Sequence, residues 1–463
     1  MLLFLLRSQL IYRIHLISFD DRPPQSIGSQ QSIGSGVRDR KTFRFMNGWK
    51  GRDRAIAKLN NEHPPILSKL MPELSRRYFL QAIGATLATA GLHQTQLLRH
   101  QKVLAQSTPR KLALIIGINE YTDAPLFGCV NDAILQRQLL IHRFGFNSQD
   151  VVMLLNKEAT RQGILNAIEE HLIKQAKPGD VAVLHFSGHG SRVRDPDPID
   201  INPDTGKGLA GTLVPIDGAL SSEAKAQGGI VADIMGHTLF LLMSAIQTEN
   251  FTAVLDSCHS GASTRDVRVR SREGGEKIEI SPQEKAYQEQ WLKRFSWSRE
   301  EFVNRYRRGV ANGVVLAATQ PNQLALDEQL NGFVAGAFSY RLTQHLWQQK
   351  STPERTIAEI QSQIPTSYRQ QPKLEVEADS DYGQKPFYFV ENPRTAGQAL
   401  VIEQEGDRAK LLLVGIDPGE VKSGTGFVTP EGRGSVEIAA REGLIATGKS
   451  AGAVEVGAVL RVK

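Results

Sequence analysis

Phe251-Thr-Ala-Val-Leu-Asp-Ser-Cys-His-Ser-Gly261 is the stretch on which the fold turns. Its first five residues form a short apolar run suited to a strand buried on both faces, and the run breaks off at an acid, a cysteine and small residues. Upstream, Val181-Ala-Val-Leu-His-Phe186 does the same before Ser187-Gly-His-Gly-Ser191. Strands of this kind belong inside a parallel sheet, and open α/β folds gather functional side chains at the carboxyl ends of such strands. The two runs therefore deliver an imidazole, His189, and a thiol, Cys258, to one edge of one sheet.

Those residue types suit nucleophilic catalysis. A thiol with an ordinary pKa of about 8.5 is only partly thiolate at neutral pH, and an adjacent imidazole activates it. Gly188, Gly190 and Gly261 leave the backbone free to approach a substrate carbonyl. The amides of Gly190 and Cys258 are the expected oxyanion donors. Taken singly, Cys258 reads as a buried apolar residue and His189 as a core histidine; their matched contexts argue for a pair.

Further out, strands are expected near 111–118, 150–155, 180–186, 251–256 and 313–318, and helices over 127–144, 160–176, 234–247, 334–348 and 354–365. Alternation of this kind predicts an α/β fold with a mostly parallel sheet flanked by helices. Lys385-Pro-Phe-Tyr-Phe-Val390 is read as a sixth, edge strand, where a proline is tolerated. From 396 to 463 the helical period disappears, and short alternating runs between Gly and Pro turns predict a small all-β module without a catalytic constellation.

The stretch from Leu112 to about Val390 resembles the caspase-like fold of the metacaspases, in particular the prokaryotic ones. Four motifs carry the resemblance: Lys111-Leu-Ala-Leu-Ile-Ile-Gly-Ile-Asn119, Gly128-Cys-Val-Asn-Asp-Ala133, Ser187-Gly-His-Gly190 and Asp256-Ser-Cys-His-Ser-Gly261. Ala335-Gly-Ala-Phe-Ser-Tyr-Arg341 is a weaker fifth, similar to the helix that opens the family's small-subunit region. The Gln-Ala-Cys run of true caspases is missing, and Cys258 follows His189 by 69 positions, more than in caspases. The resemblance implies a six-stranded caspase-like domain over 108–395: a large-subunit-like part to 261, a linker over 262–309, and a small-subunit-like part from 310. It also implies a cysteine endopeptidase with His189 as base and Cys258 as nucleophile. The alternative is a catalytically silent scaffold that binds basic peptides.

Carboxylates at the sheet mouth invite a cation. The resemblance places Asp132, Ser187 and Asp256 in the pocket for the residue before the scissile bond, with Cys129 in its wall, and implies cleavage after Arg or Lys. Asp132 reads equally as an acid complementing a helix N-terminus, and Cys129 as core filler. Two cysteines exclude a disulfide scaffold, and both thiols are expected free.

The linker 262–309 holds 12 Lys and Arg against 8 Asp and Glu with few aliphatic residues, which suggests an exposed connection. Arg265, Arg268, Arg270 and Arg272 are its candidate self-cleavage sites. Asp195, Asp197, Asp200 and Asp204 follow the histidine, but their spacing is not that of an EF-hand. No metal ligand is assigned and no cofactor is expected to be required, with calcium activation left open as the resemblance allows.

The chain has 463 residues and a formal charge of +6, yet residues 1 to 110 carry 17 Lys and Arg against 6 Asp and Glu. The body is thus left at −5, which gives no support to a nucleic-acid partner. Within the basic front segment, Ser75-Arg-Arg-Tyr-Phe-Leu-Gln81 and the weakly apolar run Ala82 to Leu92 look like a twin-arginine export signal over 71–107, with Val103-Leu-Ala105 as a cleavage site. Residues 1–70 are then expected to be disordered or to reflect a start assigned too early. Export, or alternatively a cytoplasmic location, is expected for a monomer without a transmembrane span that acts on proteins or peptides with basic residues.

Overall fold

The computed structural model describes residues 109–463 except 200, 202–207, 259–267 and 273. The export-signal reading, the leader, Asp200, Asp204 and Arg265 lie outside the described residues. The strands of the α/β body are β1 (Lys111–Gly117), β2 (Val151–Leu155), β3 (Val181–Ser187), β4 (Gly190–Arg194), β5 (Leu209–Leu213), β6 (Gly229–Val231), β7 (Ile234–Met235), β8 (Phe251–Asp256), β9 (Gly275–Ile280), β10 (Val314–Ala317), β11 (Asp327–Leu330), β12 (Phe333–Gly336) and β13 (Lys373–Val376). The helices are α1 (Cys129–Gln138), α2 (Arg161–Ala167), α3 (Ser222–Gln227), α4 (Gly236–Ala245), α5 (Pro282–Phe295), α6 (Arg299–Arg307), α7 (Ala337–Gln348) and α8 (Pro353–Gln363).

The central sheet runs β13-β10-β8-β3-β1-β2. Every pairing in it is parallel except β10 with β13. Successive side chains of a strand point to opposite faces, and β1 shows it. Ala113 and Ile115 join a core with Ala133 of α1, Phe338 and Leu342 of α7 and Ile360 of α8. Leu112, Leu114 and Ile116 join a second core with Leu165 of α2, Leu241 of α4, Trp291 of α5 and Phe302 of α6. Both faces are thus covered, as an apolar parallel sheet requires. Because β3 and β8 pair with Ser187 opposite Asp256, the His189 and Cys258 loops leave the sheet side by side.

Two expectations are corrected. Lys385–Val390 is not a strand: Phe387–Phe389 forms a tight turn with positive φ at Tyr388 and Phe389. Pro386 lacks an amide to donate, Phe387 and Tyr388 are buried, and Gln136 Nε2 donates to Tyr388 Oη at 2.5 Å. The edge strand is β13 instead. Nor is 262–309 an exposed connection throughout, since it contains β9, α5 and α6, with Trp291 and Phe302 buried. Ser281-Pro-Gln-Glu284 and Ser298-Arg-Glu-Glu301 open its helices, each serine accepting from the glutamate's amide three residues on (3.2 and 3.1 Å). A charge count overlooks such caps.

The C-terminal module is a closed barrel, β14 (Ala399–Glu405), β15 (Arg408–Leu413), β16 (Gly426–Val428), β17 (Gly434–Glu442), β18 (Ile445–Gly452) and β19 (Val459–Val462). Ala399, Val401, Leu411 and Leu413 fill it. The alternate residues Leu400 and Leu412 point outward and join the core that contains Trp347 of α7, so the barrel is packed on the α/β body. Among the described residues no helix is long and apolar enough to cross a membrane.

Candidate active site

The loop after β3 and the loop after β8 carry His189 and Cys258, respectively 2% and 1% exposed. The Tyr121 hydroxyl accepts from the His189 amide (3.0 Å), and its ring lies 4.4 Å from the imidazole, centroid to centroid. Nε2 of His189 lies 2.6 Å from the Ala124 carbonyl. A carbonyl can only accept, so Nε2 carries the proton and Nδ1 the basic lone pair. Nδ1 is buried without a hydrogen-bond partner. Burial lowers the imidazole pKa to about 4.

Cys258 Sγ accepts from the Ala325 amide at 2.9 Å. Its thiol is pushed up to about 12, chiefly by burial. In this arrangement both groups are buried and the sulfur is turned to a backbone amide.

The amides of Gly190 and Cys258 converge on one oxygen, the carbonyl of Arg270, each at 3.0 Å. A Cβ on residue 190 would lie 1.7 Å from the Cys258 carbonyl oxygen, so only glycine permits this convergence. The segment leading to Arg270 lies as an added strand against 325–327. The Arg270 amide donates to Ala325 O (2.9 Å), the Asp327 amide donates to Arg268 O (3.0 Å), and Val269 forms an antiparallel bridge with Leu326. This is the main-chain pairing by which an extended peptide joins a sheet edge.

Arg270 is fully buried, and its side chain fills the acidic pocket. Nη2 donates to Asp132 Oδ2 (2.7 Å) and Asp327 Oδ1 (3.0 Å), while Nη1 donates to Ser187 Oγ (2.7 Å) and lies 3.1 Å from Asp256 Oδ2. Ser187 Oγ in turn donates to Asp132 at 2.7 Å. Backbone amides fix the acids, Gly336 donating to Asp132 (2.9 Å) and Ser339 to Asp256 (3.0 Å). Burial raises the carboxyl pKa values of Asp132 and Asp256 against the pull of Arg270. Burial also opposes the guanidinium charge, but Asp256 and the other acids outweigh it and hold Arg270 well above its ordinary value. Cys129 is buried at the start of α1, its thiol pushed up by burial with Arg270 and Ser187 nearby. Both cysteines are free.

Of the expected self-cleavage sites, Arg268 is exposed with its guanidinium 3.9 Å above the Phe127 ring, whereas Arg270 and Arg272 are buried. The expectation of exposed sites is therefore corrected for these two: three carboxylates and an oxyanion-type pair of amides draw Arg270 inward. The sequence reading passed over Asp327, which also accepts from the amides of Phe127 (2.8 Å) and Gly128 (3.1 Å). It lies in no motif, and only the return of the chain after β10 brings it to the pocket.

A caspase-domain profile matches residues 110–382. Metacaspase-1 of Schizosaccharomyces pombe is 27% identical over 297 residues, covering 57% of this chain and 67% of that protein. Metacaspase-1 of Cryptococcus neoformans is 35% identical over 177 residues, covering 37% of this chain and 36% of the relative. Metacaspase-1B of Aspergillus clavatus is 34% identical over 179 residues, covering 37% and 40%. The chain thus spans about two thirds of the first relative and little more than a third of the other two. A protein of solved structure from Geobacter sulfurreducens is 21% identical, with 61% of this chain aligned to 99% of that one at a TM-score of 0.42.

Proposed function

Because this chain belongs to the caspase-domain family and is a cysteine peptidase of the caspase and metacaspase type, we propose that it is an endopeptidase that cleaves after Arg or Lys, and that its own Arg270–Ser271 bond is its first substrate. The observation that carries this reading is Arg270 itself. Its side chain meets three carboxylates while its carbonyl oxygen accepts from the amides of Gly190 and Cys258. A buried guanidinium held by several acids is strongly favoured over any neutral side chain, since the empty pocket leaves those acids unpaired.

The proposed reaction starts when Cys258 Sγ leaves Ala325 and gives its proton to His189 Nδ1. Sulfur then attacks the Arg270 carbonyl carbon, and the developing oxyanion remains on the two amides. As the C–N bond breaks, His189 returns the proton to the Ser271 nitrogen. Water, deprotonated by His189, then hydrolyses the thioester and frees the Arg270 carboxylate. No metal or cofactor is needed for these steps.

The test uses the full chain and Cys258→Ala with fluorogenic peptides ending in Arg, Lys or Asp, alongside mass spectrometry of the chain itself. Cleavage after Arg and Lys only, and a cut between Arg270 and Ser271, both lost in Cys258→Ala, are expected. No turnover of any peptide together with an uncut chain would instead favour the silent scaffold.

A further inference from the structure

Two residues beyond the proposed cut, the chain makes a second buried ion pair that the reaction above does not use. Arg272 is 5% exposed. Its Nη1 and Nη2 donate to Asp233 Oδ1 (2.6 Å) and Oδ2 (2.7 Å), fork to fork, and Nη1 also donates to the Gly218 carbonyl at 2.5 Å. Asp233 is fully buried and accepts from Thr212 Oγ1 at 2.6 Å.

The backbone ties this pair to the reacting bond. The Arg272 amide donates to Gly190 O at 2.9 Å, and the Gly190 amide is one of the two that donate to Arg270 O. One residue thus holds both sides of Ser271, whose bridge to Gly190 continues the extended path. The position of the Arg272 fork in its pocket is thereby coupled to the position of the Arg270 carbonyl on its amides.

We propose that Asp233, with Thr212 and the Gly218 carbonyl, is a specificity subsite on the leaving-group side that takes an arginine two residues after the cut. It rests on the peptidase reading above and extends the substrate class to Arg-Xaa-Arg segments cut after the first arginine. The subsite is filled by Arg272 in the uncut chain. Bidentate, fully desolvated recognition makes arginine distinct from lysine there, and a neutral residue leaves Asp233 buried and unpaired.

The test uses the full chain with Arg272→Ala, which vacates the subsite, and two internally quenched peptides, one containing Ala-Val-Arg-Ser-Arg and the other Ala-Val-Arg-Ser-Ala, so that only the first presents an Arg-Xaa-Arg segment. We expect self-cleavage at Arg270 to slow at least tenfold on the order of a lost charged pair, and the first peptide to exceed the second at least about tenfold in kcat/KM. Adding Asp233→Asn should bring the two peptides within about twofold, because the charge that tells them apart is gone. Equal turnover of the two peptides by Arg272→Ala would reduce the pair to a structural role and overturn the subsite. Failure of wild type and variant on both peptides, with an uncut chain, would overturn the peptidase reading instead. If Arg272→Ala does not fold, Arg272→Lys and Arg272→Gln carry the comparison: self-cleavage by both at the wild-type rate overturns the subsite, and slowing in the order Lys then Gln supports it.

Discussion

Gly336 shows how a single residue shapes the pocket. Its φ of −65° suits any residue, so the constraint on it is space alone. A Cβ there would stand 2.2 Å from Asp256 Oδ2 and 2.6 Å from Arg270 Nη1. Gly336→Ala should therefore leave the fold intact and obstruct the guanidinium, lowering kcat/KM on arginyl peptides by about tenfold or more, a loss of about 1.4 kcal/mol or more. Steady-state kinetics beside an unchanged far-UV spectrum check this; undiminished kcat/KM would mean that the arginine is held elsewhere. The sequence put Gly336 inside a family-like stretch, Ala335 to Arg341, yet its reason for being glycine is visible only once Arg270 lies against it.

At the scale of elements, the hairpin of β11 and β12 connects the pocket to the barrel. Asp327 starts the hairpin in the pocket, and at its tip Asn331 donates to Asp417 (2.8 Å) and accepts from Arg441 (2.9 Å). Beneath, outward residues of β15 share a core with α7. The barrel is therefore packed as part of the peptidase body. Leu412 is 2% exposed at this contact, and Leu412→Ala should cost about 2–5 kcal/mol. A urea melt of the full chain checks the size, and an effect below about 0.5 kcal/mol, the range of surface substitutions, would mean that the contact contributes little. The alternating pattern of β14 and β15 was legible in the sequence, but two apolar faces per strand do not say which one fills a barrel and which one meets α7.

For the whole molecule, burial of imidazoles makes stability depend on pH. His142, His185 and His189 are lowered to about 4, in each case first by burial. A free imidazole titrates near 6.5, so between these values the unfolded chain binds more protons and stability rises with pH. The contribution is complete above about 6.5 and is lost as pH falls toward 4. His185 isolates the effect, since both ring nitrogens are buried without partners and the charges of Asp256 and Arg270 act on it in opposite directions. The stability of wild type minus that of His185→Gln should rise by on the order of 3 kcal/mol from pH 4 to 6.5 and then level off. Buried carboxyls common to both chains cancel in this difference. Chemical denaturation across that pH range gives the measurement, and a flat difference would mean that the imidazole is solvated.

The sequence by itself determined the alternating α/β body, the β module and the placing of His189 and Cys258 on loops that follow neighbouring strands, because apolar periodicity and the residues that end each strand are local properties. Asp132, Ser187 and Asp256 came from the same motifs with the help of a family resemblance. Only the tertiary structure decided that Asp327 and Asp233 are buried acids and that Arg270 and Arg272 lie against them. Composition made 262–309 look solvated, since counting charges cannot show which of them find partners. Burial of an arginine is tolerated only where acceptors from distant segments converge on it, and that convergence exists only after the chain has folded.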